Sequence, residues 1–244
     1  MNYKAVLQYD GTRYRGWQTQ GNTDNTIQGK LETLLTKMAG EPVEVNGSGR
    51  TDAGVHAAGQ VISFRCKTKE SPEEICRYMN EYLPEDIAVL TVEEAAPRFH
   101  ARLNAVRKTY VYRIWNAPVR NVFRRRFTTW IQKPLDLEAM EQAATLLCGT
   151  HDYRAFCSLK KFKKSTVRTI EKIEIGKMGQ EIRISYTGDG FLYHMVRILT
   201  GTLVEVGQGL RKPEEMTEIL EGQDRTKAGR LMPPEGLTLE SVEY

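Results

Sequence analysis

From Tyr3 to Tyr9 apolar and polar residues alternate, the period of a strand with one buried face, and the alternation then stops. The next stretch, Gly11 to Asn25, is rich in Gly, Thr and Asn and has no period, which predicts an exposed loop. Ile27, Leu31, Leu34, Leu35 and Met38 recur at helical spacing, with Asn25 or Thr26 placed to cap the first turn and Gly40 to end the last. Pro42 to Asn46 reads as extended, and Gln60 to Arg65 alternates as a strand. Ser71-Pro72-Glu73-Glu74 is a capping box with proline at the first helical position; it opens a helix through Ile75, Tyr78, Met79 and Tyr82 that Pro84 closes. Ile87 to Ala95 is again a strand, so the first part of the chain reads β-α-β-β-α-β.

A second block repeats this order with additions. Lys108 to Asn116, with Tyr, Val, Tyr, Ile and Trp, favours a pleated surface. Phe127 to Gln132 reads as extended, and Asp136 caps a helix through Leu137, Met140, Ala144 and Leu147 that stops at Gly149. Two strands follow, Thr166 to Lys177 and Glu181 to Tyr186, turning near Met178-Gly179. Then come a long apolar helix from Phe191 to Gly207, a shorter one from Pro213 to Leu220, and a last strand from Leu237 to Tyr244. The fold class is α+β, in two halves divided at 104/105: residues 1–104 and residues 105–244.

Composition narrows the class. The chain has 244 residues, 40% hydrophobic and 27% charged, which is ordinary for a folded globular protein. No apolar run approaches the roughly 20 residues of a membrane span, and Met1-Asn2-Tyr3-Lys4 leads straight into a strand, so neither a membrane nor a secretory leader is expected. Cys66, Cys76, Cys148 and Cys157 lack the spacing of a zinc site or a disulfide framework, and a reducing cytoplasm fits them. The net charge of +4 decides little, but its distribution is informative. Arg120, Arg124, Arg125 and Arg126 interleave with Phe123, Phe127 and Trp130, and Lys160, Lys161, Lys163 and Lys164 surround Phe162. Such clusters suit either phosphate contact with base stacking or a solvated charged face.

The candidate chemistry lies in Asn46 to Ala57, where Gly47, Gly49 and Gly54 make a side-chain-poor loop carrying Arg50 and Asp52. By residue type this could be a surface turn in which Asp52 caps backbone N–H groups. A nucleotide cradle fits poorly, since Asp52 stands where a dinucleotide fingerprint has its third glycine and the Gly-Lys-Ser/Thr of a P-loop is absent.

The longer string Gly49-Arg50-Thr51-Asp52-Ala53-Gly54-Val55-His56-Ala57 resembles the active-site motif of the TruA family of tRNA pseudouridine synthases. The resemblance extends along the chain in order and spacing: Asp10-Gly11-Thr12, Gly16-Trp17-Gln18, Phe99-His100-Ala101-Arg102, Lys108-Thr109-Tyr110-Val111-Tyr112, Gly149-Thr150-His151-Asp152, Phe191 to Arg197, and Gly236-Leu237. It departs at Tyr153, where phenylalanine is usual, and at Met232, where alanine usually precedes the proline.

The resemblance implies two ferredoxin-like halves whose antiparallel sheets join, leaving a central cleft. It implies isomerisation of uridine to pseudouridine in the anticodon stem-loop (positions 38–40) of tRNA, without cofactor or metal, by a homodimer across which the tRNA lies. Asp52 is then the catalytic carboxylate, and Arg197 the cation that keeps it ionised in a dry pocket. Tyr110 lies against the target base; Arg50 and Leu237 complete the substrate-binding set. His56, His100, His151 and His194 read as structural or RNA-facing. The alternative is a catalytically silent tRNA-binding protein or a paralogue with different target uridines. A degenerate copy would be expected to have lost the Arg50-Thr51-Asp52 core, which is present.

Overall fold

In β1 (Asn2–Tyr9) the side chains of Tyr3, Ala5, Leu7 and Tyr9 are buried and those between are not, as the alternation requires. A computed structural model describes residues 1–244. α1 (Ile27–Ala39) starts at Thr26, whose hydroxyl accepts the Gly29 N–H at 3.2 Å, and stops where Gly40 turns left-handed. β2 (Val45–Gly47) leads through the glycine loop into β3 (His56–Arg65). The capping box of α2 (Pro72–Tyr82) is complete: Ser71 accepts from Glu74 N–H, and Glu74 accepts from Ser71 N–H at 2.8 Å. β4 (Ile87–Glu94) and β3 flank β1, both antiparallel, and β2 pairs antiparallel with β3. Leu31, Leu35, Ile62, Ile75 and Met79 fill the core between helices and sheet. β3 starts at His56 rather than Gln60, because Ala57 pairs with Tyr9 across a bulge; the small residues Ala57, Ala58 and Gly59 carry no pattern that could announce it.

The second block runs β5 (Arg107–Asn116), β6 (Thr129–Ile131), α3 (Leu137–Leu146), β7 (Gly149–Asp152), β8 (Val167–Met178), β9 (Glu181–Gly188), α4 (Met195–Gly207) and α5 (Glu215–Gly222). The order β5-β9-β8-β7 is antiparallel throughout, whereas β6 lies parallel to β5. Sequence reading missed β7, since four residues of Gly-Thr-His-Asp show neither β-branched enrichment nor a full period. Tyr153 follows it fully buried, with its hydroxyl 2.7 Å from Leu147 O and 3.0 Å from Gly149 O, so the oxygen that phenylalanine would lack has partners. α4 begins at Met195, four residues after the apolar run does. His194 takes φ +66° at its N-cap, and a left-handed residue cannot sit inside a helix.

The last strand, β10 (Leu237–Glu243), returns to the first block. Thr238 and Leu239 lie opposite His56 and Ala57, parallel to β3. Val106 N–H donates to Glu243 O at 2.9 Å, and Tyr244 donates to Ala101 O at 2.7 Å with its ring 5.0 Å from that of Phe99. The chain accordingly divides into one unit of residues 1–106 with 238–244 and another of 107–237, not at 104/105 with everything later in the second half. Each unit is α+β. Edge pairing decided the matter, and a strand's hydrophobic pattern says nothing of which neighbour it pairs with. No helix of the chain is long and apolar enough to cross a membrane.

Candidate active site

Gly47 to Val55 connects β2 to β3, and its backbone is held from several sides within the first unit. Ser48 N–H donates to Val61 O at 2.8 Å, and Trp17 N–H donates to Thr51 O at 3.0 Å. Trp17 O and Gly16 O in turn accept the N–H groups of Gln28 and Ile27 at 3.0 and 3.2 Å, so the loop from Gly11 to Asn25 ties the start of α1 to the aspartate loop. Gly16 has φ +94°, and a methyl there would lie 2.9 Å from Thr51 O and 3.1 Å from Ala53 N. Beyond Asp52, Val55 N–H closes a turn onto Asp52 O at 3.1 Å.

Under the loop lies a buried polar chain. Ser48 donates to Gln60 Oε1 at 2.6 Å; Gln60 Nε2 donates to Gly49 O at 3.0 Å and to the Tyr9 hydroxyl at 3.4 Å; that hydroxyl lies 2.8 Å from Thr51 Oγ1. Since a carbonyl only accepts, Gly49 O fixes which end of the Gln60 amide is nitrogen. Tyr9 therefore accepts from Gln60, and its bond to Thr51 can be donated by either hydroxyl. Burial pushes the Tyr9 hydroxyl up to about 12, against the pull of Thr51 and Gln60, so it stays protonated. Gln60 and Ser48 are fully buried. A glutamine on the core side of a strand beside Val61 and Ile62 was the available signal of such a network, and sequence reading did not use it.

His56, 2% exposed at the start of β3, accepts the Gly11 N–H through Nδ1 at 3.1 Å, and Asp10 Oδ1 lies 3.2 Å from the same nitrogen. One nitrogen cannot accept from Gly11 and donate to Asp10 in the same protonation state, so the proton at Nδ1 decides which bond forms. Within this frame Asp52 is half-buried and Arg50 is exposed.

The second unit places the other sequence-predicted residues. Arg197 lies in the first turn of α4 and is 8% exposed; its Nε donates to Met232 O at 2.7 Å while Met232 N–H returns a bond to Arg197 O. It is therefore not an arginine at an exposed helix edge. A guanidinium out of water needs acceptors, and the Met232 carbonyl is one of them. Tyr110 on β5 is 8% exposed and meets Phe191 edge-to-face at 5.3 Å. Tyr112, two residues on, is fully buried; its hydroxyl donates to Pro233 O at 2.7 Å and lies 2.6 Å from Thr129 Oγ1, and burial pushes its pKa up. Leu237, buried, follows a short 3-10 turn over Pro234–Gly236. Phe191 and the strained His194, whose Nδ1 lies 2.9 Å from Ser158 Oγ, were not singled out as site residues from the sequence.

The basic clusters separate in the structure. Arg124 pairs with the buried Glu181, which Arg183 also holds at 2.7 Å, so Arg124 serves the fold. Arg125, Arg126 and Phe123 are exposed, and Arg120 lies 4.5 Å above the Trp130 ring. Lys160, Lys161, Lys163 and Lys164 are all exposed around Phe162, over which Arg154 lies at 5.8 Å.

A family model described as tRNA pseudouridine synthase matches residues 5–104 and 143–244, most of both units, which sets the class as RNA-isomerising enzymes. The chain belongs to the tRNA pseudouridine synthase family. It is 47% identical over 243 residues to tRNA pseudouridine synthase A of Bacillus sp. (strain KSM-64), covering 100% of this chain and 99% of that one. It is 47% identical over 241 residues to tRNA pseudouridine synthase A of Brevibacillus brevis, covering 99% and 98%. It is 44% identical over 243 residues to tRNA pseudouridine synthase A 2 of Bacillus anthracis, covering 100% and 99%. Among solved structures, a chain of a Cbf5-Nop10-Gar1 complex covers 83% of this chain and 45% of its own at TM-score 0.39 and 12% identity, a likeness too slight to build on.

Proposed function

We propose that Asp52 is the carboxylate on which conversion of uridine to pseudouridine in tRNA depends, with Arg197 as its counter-charge and Tyr110 against the target base. Arg50 and Leu237 complete the substrate-binding set, and the target uridines lie in the anticodon arm. The isomerisation breaks the N1–C1′ bond, turns the uracil and joins C5 to C1′; C5 loses a proton and N1 gains one. Whether Asp52 attacks as a nucleophile or removes a proton as a base, it must be ionised. The observation that carries this reading is the aspartate loop itself. Its backbone is fixed from Trp17, Val61 and Gln60, while Asp52 is only half-buried, so the carboxylate is held in place and still within reach of a substrate. A base in a folded RNA must be turned out to be reached, and aromatic groups such as Tyr110 and Phe191 suit its reception.

The test is Asp52→Asn, which keeps size and removes charge. Pseudouridine mapped in tRNA after incubation with the variant should be absent, while tRNA affinity stays near the parent's, because affinity rests mainly on phosphate contacts and shape. Conversion at near the parent rate would overturn the assignment. The protein works as a homodimer on this reading, each subunit completing the other's basic surface. A clean monomer at micromolar concentration in sedimentation, fully active, would contradict that.

A further inference from the structure

We infer that Tyr9 and Gln60 are positioning residues for the reaction, setting the place of the Asp52 carboxylate through the hydroxyl of Thr51. This rests on the reading of Asp52 as the catalytic carboxylate. Three facts carry it. The two residues come from neighbouring strands, β1 and β3, so the rigid centre of the sheet, and not the loop, sets their place. Their side chains take up Ser48, Gly49 and Thr51, three of the four residues that precede Asp52, in a polar chain in which all of Tyr9, Ser48, Thr51 and Gln60 are buried. Ser48 donates to Gln60 Oε1 while Gln60 Nε2 donates to Gly49 O and Tyr9, so the amide cannot turn over without breaking these bonds, and the Tyr9–Thr51 hydroxyl bond carries the chain on to Thr51 whichever of the two donates. A further restraint on Thr51, its carbonyl bound by Trp17 N–H at 3.0 Å, holds the peptide that leads into Asp52. Thr51 is thus gripped at side chain and carbonyl, and the grip on the side chain ends at a single hydroxyl.

Tyr9→Phe removes that hydroxyl and keeps the ring. Single-turnover conversion of tRNA at saturation should fall by roughly ten-fold to a hundred-fold, the scale on which a small misplacement of a reacting group acts, while the tRNA dissociation constant stays within about two-fold. Thr51→Val should show the same fall and Thr51→Ser should restore the parent rate. Combining Tyr9→Phe with Thr51→Val should cost no more than either alone, since both cut one linkage. Tyr153→Phe, which deletes an equally buried hydroxyl in the other unit, should lower the melting temperature without changing the rate. If Tyr9→Phe fails to fold, Thr51→Val with its serine rescue decides alone. Parent rates in the Tyr9 and Thr51 variants, or additive losses in the double variant, overturn the inference when Asp52→Asn is inactive. An active Asp52→Asn overturns the reading beneath it instead.

Discussion

Gly16→Ala tests whether the loop after β1 acts as a wall for the aspartate loop. The substitution has two costs that the structure separates. At φ +94° an L side chain is strained, and a left-handed backbone costs roughly 1–2 kcal/mol. The added methyl also lies 2.9 Å from Thr51 O, 3.1 Å from Ala53 N and 3.2 Å from the Asp52 carbonyl carbon. All three are backbone atoms, well inside the ~3.5–4.0 Å of comfortable contact, so the loop must move by several tenths of an ångström; overpacking of this kind costs about 1–3 kcal/mol. Gly40→Ala is the matched control. Its φ is +70° and nothing lies within 4 Å of the new methyl, so it carries the backbone cost alone. Urea unfolding should place Gly16→Ala about 1–3 kcal/mol below Gly40→Ala. Activity should separate them further. With tRNA tritiated at uridine C5 and enzyme in excess, tritium release follows loss of the C5 proton. The Gly16 variant should be slower by up to about a hundred-fold, and the Gly40 variant should match the parent. Equal stability of the two variants, or a parent rate in Gly16→Ala, would refute the claim that this wall fixes the loop.

Changing Lys160, Lys161, Lys163 and Lys164 to glutamine should flatten the salt dependence of tRNA binding by roughly 0.7–0.9 in log–log slope for each phosphate that these lysines neutralise; anisotropy across a salt series reads this, and an unchanged slope rejects a phosphate-binding role for the cluster. Arg124→Ala should lower stability by about 1–2 kcal/mol because Glu181 stays buried with one partner fewer, whereas Arg125→Ala should stay within about 0.5 kcal/mol of the parent. Equal urea midpoints for these two arginine variants would show that Glu181 does not depend on Arg124.

The helix caps at Thr26, Ser71 and Asp136 were legible because each is a local hydrogen bond between a side chain and the backbone N–H three residues on. The β-α-β-β-α-β order was legible because each element carries its own period. Contacts between residues far apart in the chain were not. Nothing local to Thr51 announces Tyr9, and nothing local to Arg197 announces Met232. Arg124 and Arg125 are alike by type, and only the fold brings Glu181 to one of them. Asp52 itself stood out through an extended motif, while the groups that fix its loop lay in a loop and two strands that read as scaffold.

The pairing of β10 with β3 makes the unit that holds Asp52 discontinuous: residues 1–106 lack one of its strands until residues 238–244 arrive. During synthesis the whole second unit must leave the ribosome before the edge of β3 beside His56 and Ala57 can be covered. A chain broken off anywhere in residues 107–237 leaves the backbone at His56 and Ala57 without this pairing. The sheet beside the aspartate loop is therefore finished only after residues 238–244 have been made and returned to β3.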